Sequence, residues 1–461
     1  MRRFIELTAM AATALLLSAC ATAPASRPEP VAMPAAWSAS GQAAVESGWW
    51  RAFGDPVLQR LVDDALARNT DLRLAAARVA EARALSQVQH GAELPNVELG
   101  VAGGRFRTIN AATGKPYDAT NSQVQFQAAY EVDLWGRVDA LGRAADETLA
   151  ASSYARDAAA LSVASAAASG YLTLRALDAR LQVARDTLTS REAAVTLARS
   201  RESHGYTSKL ELAQAEAEYR ATAQVVPQLE LAVSRQEHAL GVLLGRAPGA
   251  IERGLPLAQI ALPPLPVTGL PSELLRRRPD IAASEAQVAA SDAQLAAARA
   301  QLLPSIRLAA NFGTATSSAL HGDPFTLWGL GGSVLAPIFE GGRLRAQVQV
   351  GVSRRDQALI GYEKAVLGSM AEVEDQLAGI ERLQQQSEQV DAQRQALADA
   401  LRIATNRHRE GYASYLDQLD AQRNLFSAEQ TALQLRADLL SAQVGLYRAL
   451  GGGWNADIAI R

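Results

Sequence analysis

The stretch RHREGYASYLDQLDAQR, residues 407–423, determines how the chain is organised, because a similar stretch, RESHGYTSKLELAQAEA, occurs at residues 201–217. In both, a helical pattern rich in Ala and polar residues runs into a Gly, and a Ser follows three residues later. Gly adopts the left-handed conformation that ends a helix, and Ser caps the next helix, with a carboxylate three residues on approximating a capping box. The equivalent residues are Gly205 and Gly411, Tyr206 and Tyr412, Ser208 and Ser414, and Glu211 and Asp417. Each stretch therefore predicts the tip of an antiparallel helical hairpin.

The similarity between the two halves extends well beyond the tips. An offset of 206 residues places Arg137 on Arg343 and Leu240 on Leu446, and an offset of 209 places Leu99 on Leu308. One insertion or deletion therefore lies between Leu99 and Arg137, where a surface loop would tolerate it. We interpret the chain as two copies of one unit of about 200 residues.

Composition excludes several classes of function. The chain has 461 residues, a net charge of −3 and one Cys. A nucleic-acid-binding protein would carry a basic footprint, and one Cys excludes an internal disulfide or a multi-cysteine metal site. The five His show no ligand spacing, and no phosphate loop or nucleophile signature is present. We predict no nucleic-acid partner, no metal, no cofactor and no enzymatic activity.

The N-terminus has the pattern of a secretory signal over residues 1–19, with Arg2 and Arg3 before an apolar run. It closes with Leu-Ser-Ala-Cys, which is similar to a bacterial lipobox and predicts that Cys20 becomes the lipidated first residue. The alternative is a plain signal peptide in which Cys20 is incidental. Ala21 is not the Asp of an inner-membrane retention signal, which favours the outer membrane. Residues 20–48, rich in Ala, Pro and Ser, are predicted to form a lipidated tether without a core.

Four segments alternate apolar and polar residues, as in Val124, Phe126 and Ala128. The predicted strands cover about 96–108, 122–134, 305–316 and 325–338. Such strands are typical of a transmembrane barrel, although a half-buried sheet in a soluble domain would show the same alternation. Four strands cannot close, and lipid does not permit unpaired edges. If these strands span a membrane, several chains must share one barrel, and three chains would give twelve strands.

Long helical patterns follow each pair of strands. They cover 137–202 and 343–409, each roughly 100 Å long, and Val352, Leu359 and Val366 repeat every seven residues as in a coiled coil. Pro227 should break or kink the return helix of the first copy. Repeat 1 is predicted at 49–245, with one helix over about 56–91, a tip at 203–208 and return helices at 209–245. A Pro-rich connector at 246–270 leads to repeat 2 at 271–451, which has a first helix, a tip at 410–414 and a return helix at 415–450. A tail follows at 452–461.

This order of elements resembles the TolC family of outer-membrane efflux channels, and the Cys20 pattern resembles its lipoprotein branch (OprM-like, NodT-like). The match is carried by EVDLWGR at 131–137, PIFEGGR at 337–343 and the two tips. The resemblance implies an α+β membrane protein with a long coiled-coil helical barrel and a twelve-stranded β-barrel completed by homotrimerisation. It also implies outer-membrane lipids, a periplasmic adaptor (membrane-fusion) protein on the tips, and an inner-membrane pump of RND, ABC or MFS type as partners.

The resemblance implies roles for residues at the tips. Asp417 and Asp420 match the carboxylates that constrict the periplasmic gate, and Glu211 matches a latch carboxylate that pairs with an Arg from the second copy. Ala413 stands at that Arg position and His408 where a Tyr is expected, so Arg407 and Arg409 are the alternative partners. Asp417 could instead be only a first-turn helix carboxylate. The residues implied in adaptor docking, for which capping alone is the alternative role, are Gly205, Tyr206, Ser208, Gly411, Tyr412 and Ser414.

Glu131, Asp133 and Arg137 lie where a strand turns into a helix, with Arg343 as the counterpart of Arg137 in the second copy. An acid–base pair is conceivable there, but we predict a junction salt bridge, with Trp135 near the membrane interface.

The predicted function is a passive exit duct of a tripartite efflux system. The alternatives are a lipid-anchored coiled-coil scaffold without channel activity, an exit duct for secreted polypeptides and, least favoured, a lipoprotein hydrolase.

Overall fold

The computed structural model describes residues 32–41, 45–319 and 324–454, and its elements occur in a similar order twice. All of them lie in the unit that begins at Met33. The first series is α1 (Pro56–Arg68), α2 (Thr70–Gly91), β1 (Asn96–Ile109), β2 (Pro116–Val132), α3 (Arg137–Ser203), α4 (Lys209–Ala223) and α5 (Val225–Leu243). The second is α6 (Leu274–Arg277), α7 (Pro279–Ala300), β3 (Ser305–Ser317), β4 (Phe325–Leu335), α8 (Arg343–Arg409) and α9 (Tyr415–Ala449).

The two long helices, α3 and α8, have 67 residues each, which corresponds to roughly 100 Å. Each begins after a Gly in the left-handed conformation, Gly136 (φ 68°) and Gly342 (φ 84°), where the chain turns out of a strand. Helix α3 packs against its return helices α4 and α5 and against α9, and α8 packs against α9. Among the described residues, no helix combines the length and the apolar content needed to cross a bilayer.

The four strands form one antiparallel sheet in the order β1-β2-β3-β4. Strand β2 of the first copy pairs with β3 of the second, so the sheet joins the two copies. Because side chains alternate between the faces of a strand, neighbouring rows have opposite character. The apolar row is Leu99, Phe126, Phe312 and Trp328, and the adjacent row on the other face is Glu98, Gln127, Asn311 and Gly329. The sheet is therefore amphipathic.

The main core lies around the middle of α3, where buried side chains from both copies meet. The Trp49 ring stacks on Tyr447 of α9, with centroids 5.4 Å apart. Asp55 is fully buried, and its carboxylate accepts hydrogen bonds from the Tyr171 hydroxyl (2.8 Å) and the Leu255 N–H (3.0 Å). Burial, followed by the hydrogen bond to Asp55, raises the pKa of Tyr171. The Asp55 contacts fasten the segment between the copies to the core.

The segment at 246–270 differs from the extended connector predicted from its Pro content. It contains a 3₁₀ helix, Leu257–Gln259, and buries Ile251, Leu257 and Ile260 in the core. Pro fixes φ and removes a donor but does not prevent apolar side chains from packing, and these residues supply the apolar surface.

The single helix predicted over 56–91 is wrong, because the chain breaks at Asn69. The Asn69 side chain accepts from the N–H groups of Asp71 (2.8 Å) and Leu72 (3.2 Å), and its amide donates to the Leu243 carbonyl (2.9 Å). A buried Asn thus caps α2 and connects it to the end of α5.

Three predicted strand bounds also change, and one of them is the end of β2, which lies at Val132 rather than at about 134. Strand β2 begins at Pro116 rather than at about 122, because its backbone continues to pair with β1 beyond the apolar alternation. Strand β4 ends at Leu335 rather than at 338, shortly before Pro337, which has no N–H for the ladder.

The return helix of the first copy is interrupted at Gln224, three residues before Pro227.

The predicted tether at 20–48 is partly packed against the second copy. Trp37 is buried, the Ser38 N–H donates to Glu374 of α8 (3.1 Å), and the Gly41 N–H donates to the Pro266 carbonyl (3.0 Å). The segment differs from a free tether because it contains one large apolar side chain, Trp37, among its Ala, Pro and Ser residues, and that side chain is buried. The predicted signal peptide and the lipidation residue Cys20 lie outside the described residues.

Candidate functional site

The two hairpin tips have the same backbone geometry. Gly205 (φ 75°) and Gly411 (φ 80°) are left-handed, and the following N–H of each tip reaches back to a carbonyl of the last helical turn. These bonds join Tyr206 N–H to Arg201 O (2.8 Å) and Tyr412 N–H to Arg407 O (2.7 Å). This is the Schellman arrangement, which satisfies carbonyls that a helix end leaves free. The Gly is required because a side chain at this φ would be strained.

The Ser residues cap the return helices, but the two caps differ. Ser414 accepts from the Asp417 N–H (3.3 Å) and its own N–H donates to the Asp417 carboxylate (3.0 Å), which is a full capping box. Ser208 accepts from the Glu211 N–H (3.2 Å), whereas the Glu211 side chain binds the Thr207 hydroxyl. The capping box approximated from the sequence is therefore complete in the second copy only.

Glu211 contacts the second hairpin through His408. The His408 Nε2 lies 3.5 Å from the Glu211 carboxylate, and the contact is ionic only when His408 is protonated. The His408 ring also packs on Tyr415, with centroids 5.4 Å apart. Arg407 and Arg409, the alternatives considered from sequence, bind the Tyr412 carbonyl and Glu410 instead. The structure thus places the residue at the Tyr position, and not a nearby Arg, against Glu211.

A second contact between the hairpins was not predicted. Glu218 of α4 is 7% exposed and binds Arg191 of α3 and Arg423 of α9, with 2.6 Å from Arg423 Nε. Arg423 also lies 3.3 Å from Asp420, one of the predicted gate carboxylates. Burial alone would raise the pKa of Glu218, but the hydrogen bonds from Arg423 and Arg191 outweigh it and the pKa is lowered. Glu218 is therefore a carboxylate held ionised between two guanidinium groups.

The internal repeat contains a signal that could have revealed this cluster. With the 206-residue offset, Arg191 falls on Leu397 and Glu218 on Asn424, and Arg423 falls on Ala217. Charges present in one copy at positions that are uncharged in the other point to a contact between the copies.

Asp417 and Asp420 lie one turn apart on α9, and both are exposed. The capping box occupies the Asp417 carboxylate, and Arg423 partly neutralises Asp420. Tyr206 and Tyr412 are 83% and 78% exposed at the ends of the hairpins. Within the described ranges, no group of His, Cys, Asp and Glu is arranged to hold a metal ion.

At the other end of the long helices, each junction Arg has a carboxylate partner. Arg137 Nε lies 2.8 Å from Glu131 and Arg343 Nη2 lies 2.8 Å from Glu340, so the junction ion pair expected from the sequence is present. The Trp135 indole donates to the Pro304 carbonyl (2.8 Å), which holds the start of α3 against the chain leading into β3.

The chain thus combines paired hairpins of very long helices with an amphipathic four-stranded sheet at their far end. The sequence profile of the outer membrane efflux protein family matches residues 61–246 and again residues 270–452, one match for each copy. The chain belongs to this family.

Individual proteins show the same relationship. The pyoverdine export outer membrane protein OpmQ of Pseudomonas aeruginosa is 34% identical over 458 residues, covering 96% of both chains. The probable efflux pump outer membrane protein TtgC of Pseudomonas putida is 34% identical over 472 residues, covering 97% of this chain and 96% of TtgC. The outer-membrane channel OprN superposes with a TM-score of 0.84 at 30% identity, covering 93% of this chain and 99% of OprN.

These likenesses confirm the fold class and the function predicted from the sequence. The chain is the outer-membrane channel component of an efflux system, a transport duct and not an enzyme. Channels of this family are trimers that work with an adaptor and an inner-membrane pump.

Proposed function

We propose that three copies of this chain form a passive exit duct for small molecules, with a periplasmic gate at the hairpin tips that an adaptor opens. The four-stranded sheet carries the proposal, because β1 and β4 each have one neighbour within the described residues. Lipid does not tolerate unpaired backbone groups, so the β4 edge of one chain must pair with the β1 edge of the next. Three chains of four strands give a closed ring of twelve.

The apolar row of the sheet supports this arrangement. Phe312 is 62% and Trp328 is 77% exposed, although both are large and apolar. On a sheet in water such a row would be unfavourable, whereas on the outside of a barrel it contacts lipid. The polar row that contains Gln127 and Asn311 then faces the bore.

We place the gate at Asp417, Asp420 and Glu211. Both Asp side chains are on the first two turns of α9, so three chains would bring six carboxylates together at the narrow end. Carboxylates this crowded repel one another and hold cations or water. The His408–Glu211 contact joins α8 to α4 beside them and would restrain the second hairpin against the first.

We assign adaptor docking to the tips. Tyr206, Tyr412 and Leu210 are exposed there, and large apolar side chains at a surface mark interaction sites. Their backbone is held by the Gly turns and Ser caps at Gly205, Ser208, Gly411 and Ser414, so the side chains are presented in a fixed arrangement.

We also propose lipidation at Cys20, which would fix the chain to the outer membrane since several acyl chains anchor a protein firmly. The inner-membrane pump would be of RND, ABC or MFS type. The names of the relatives refer to pyoverdine export and to efflux pumps, which favours small molecules over polypeptides as cargo.

The test is conductance of the purified trimer in planar bilayers, together with uptake of a large antibiotic by cells. Replacing Asp417 and Asp420 with Ala should raise both the conductance of the trimer and the uptake of the antibiotic. Asp399→Ala is the matched control, because Asp399 is an exposed α8 carboxylate 3.3 Å from Arg402, the same spacing as Asp420 and Arg423. A protein that stays monomeric in detergent and gives no conductance would overturn the proposal in favour of a scaffold.

A further inference from the structure

We infer that Arg105 and Arg107, on the outward face of the sheet, bind the phosphorylated headgroup of a lipid in the outer leaflet of the membrane. This site rests on the proposed function, because the barrel determines which face of the sheet contacts lipid. The site lies at the end of the strands farthest from the long helices, near the turn that joins β1 to β2.

The register of the sheet places both Arg side chains on the same face as the apolar row. Strand β1 pairs with β2 without a bulge from Asn96 to Ile109, so its side chains keep alternating between the two faces over the whole strand. Every second residue after Leu99 therefore shares the apolar face. The outward residues that follow Leu99 are Val101, Gly103, Arg105 and Arg107.

The apolar part of this face ends short of the two Arg side chains. On β2 the outward residues are apolar or aromatic from Val132 to Val124 and polar from Ser122 onward. These eight steps cover about 27 Å of strand, or roughly 20 Å of height at a tilt of about 40°, which is most of an apolar band of about 25 Å. Ser122 lies opposite Gly103, so the two Arg residues lie beyond the hydrocarbon, at the level of the headgroups.

All the charge on the outward face of the described strands is concentrated at this end. Its charged residues are Arg105, Arg107 and Asp118, and the outward strand residues nearer the helices carry none. Lys115 lies in the β1–β2 turn at the same end, where the Asn110 N–H donates to its carbonyl (2.9 Å). Three cations and one carboxylate give a net charge of +2 per chain. An anionic headgroup is therefore attracted to this end of the sheet.

Both guanidinium groups are available to a phosphate. Arg105 Nη2 lies 3.7 Å from the Asp118 carboxylate, and the two side chains are 75% and 51% exposed. An exposed pair at that distance contributes little to stability, so a phosphate can displace the carboxylate. Arg107 is exposed and has no carboxylate partner among the described residues. A guanidinium can donate to two phosphate oxygens at once, which makes Arg a strong ligand for a phosphorylated headgroup.

Small and polar groups line the step between the apolar rows and the two Arg residues. Gly103 has no side chain, so the outward surface is open at its position. Beside it, the exposed Ser122 and Thr316 hydroxyls lie 2.6 Å apart. Such hydroxyls can hydrogen-bond the sugar or ester groups that connect a phosphate to its acyl chains. The same face thus offers apolar contacts to the acyl chains, hydroxyls to the linking groups and guanidinium groups to the phosphate, which fits a lipid in all its parts.

The experiment measures the lipid bound to the purified full-length trimer in a neutral detergent by native mass spectrometry, with diphosphoryl lipid A as the probe. Arg105→Gln/Arg107→Gln should weaken binding about 25-fold, which is about fivefold for each Arg near an anionic membrane surface. Lipid A from which the phosphates have been removed should bind the wild type about as weakly as diphosphoryl lipid A binds this variant. Equal binding of the two lipids by the wild type would overturn the inference.

Asp118→Asn gives a result that a loss of folding cannot imitate. It removes the carboxylate that competes with phosphate for Arg105, so diphosphoryl lipid A should bind several-fold more tightly. An Asp118→Asn trimer that binds no more tightly than the wild type refutes the site. This variant also decides the question if Arg105→Gln/Arg107→Gln does not assemble.

Arg307→Gln is the matched control. The Arg307 side chain is 69% exposed and lies 3.9 Å from Glu131, values close to those of the Arg105–Asp118 pair. Its position on β3 is one residue out of step with Phe312 and its apolar row, so Arg307 is on the opposite, bore-facing side of the sheet. This variant should bind diphosphoryl lipid A like the wild type. A loss as large as that of Arg105→Gln/Arg107→Gln would show a general effect of charge and refute the site.

The remaining outcomes separate the site from a free phosphate site and from the proposed function. A large excess of inorganic phosphate should not displace diphosphoryl lipid A, and displacement would overturn the assignment to a lipid. A wild-type protein that stays monomeric and does not conduct refutes the duct itself. A conducting wild-type trimer that binds diphosphoryl lipid A no better than its Arg105→Gln/Arg107→Gln variant refutes the lipid site alone.

Discussion

Asp417 has two roles that a single substitution would confuse, since its carboxylate completes the capping box of α9 and is also a proposed gate charge. Asp417→Ala should remove both, Ser414→Ala should remove the cap only, and Asp420→Ala should remove a gate charge only. Loss of an N-cap costs about 1 kcal/mol, or roughly a fivefold shift in the local folding equilibrium of the first turn. Ser414 accepts a hydrogen bond from the Asp417 N–H, and the Ser414 N–H donates one to the Asp417 carboxylate. Ser414→Ala and Asp417→Ala therefore each lose part of the capping box.

The assay pairs amide hydrogen exchange at residues 414–420 with conductance of the trimer at rest. We expect Ser414→Ala to speed exchange about fivefold with little change in conductance, and Asp420→Ala to raise conductance with unchanged exchange. Asp417→Ala should do both. If Ser414→Ala raised conductance as much as Asp417→Ala, the role of Asp417 would be that of a first-turn cap, and the assignment of a gate charge to it would be refuted.

Three further outcomes are expected. Asp55→Ala leaves several buried donors without an acceptor and should reduce the free energy of unfolding by about 3–6 kcal/mol, which a thermal melt of the trimer would show; an unchanged melt contradicts the role of Asp55 in the core. The hydrogen bond that the His90 ring donates to Glu93, followed by the one that it donates to Asp146, raises the pKa of His90. The stability from these contacts is therefore present below the unfolded pKa and is lost as pH rises through the raised folded value. An NMR titration should give His90 a lower pKa after Asp146→Asn, and no change would refute the contact. Trp328→Arg puts a charge on the lipid-facing side of the sheet, which should destabilise the membrane-inserted barrel by about 2–4 kcal/mol. The yield of trimer in outer membranes should therefore fall, and an unchanged yield would contradict the assignment of this row of side chains to the lipid.

Local patterns were sufficient for features that depend on a few consecutive residues. Gly205 and Gly411 adopt the left-handed conformation because a Gly between two helical patterns has few alternatives. The apolar alternation around Phe126 places that side chain on the apolar face of the sheet, because side chains alternate between the faces with a period of two residues. The order of elements, which occurs twice, could be predicted from the sequence for the same reason.

Features that depend on contacts between distant segments were not readable in this way. Asn69 breaks a continuous helical pattern because its amide meets the Leu243 carbonyl, which is 174 residues away in sequence. Trp37 lies in a segment of low-complexity composition and is buried, and the next residue, Ser38, donates a hydrogen bond to Glu374 of α8 in the second copy. Glu218 has the polarity of a surface residue and is buried only because two Arg from different helices neutralise it.

The pairing of β2 with β3 has a consequence for mixed assemblies. A closed ring of twelve strands from three chains has twelve seams, of which nine lie within chains, and only the three β4–β1 seams join different chains and are free to dissociate. Subunits of the ring would therefore exchange as whole chains of four strands and never as single copies of two strands. A cell that produces two alleles would contain rings with zero, one, two or three altered members, in proportions set by dosage.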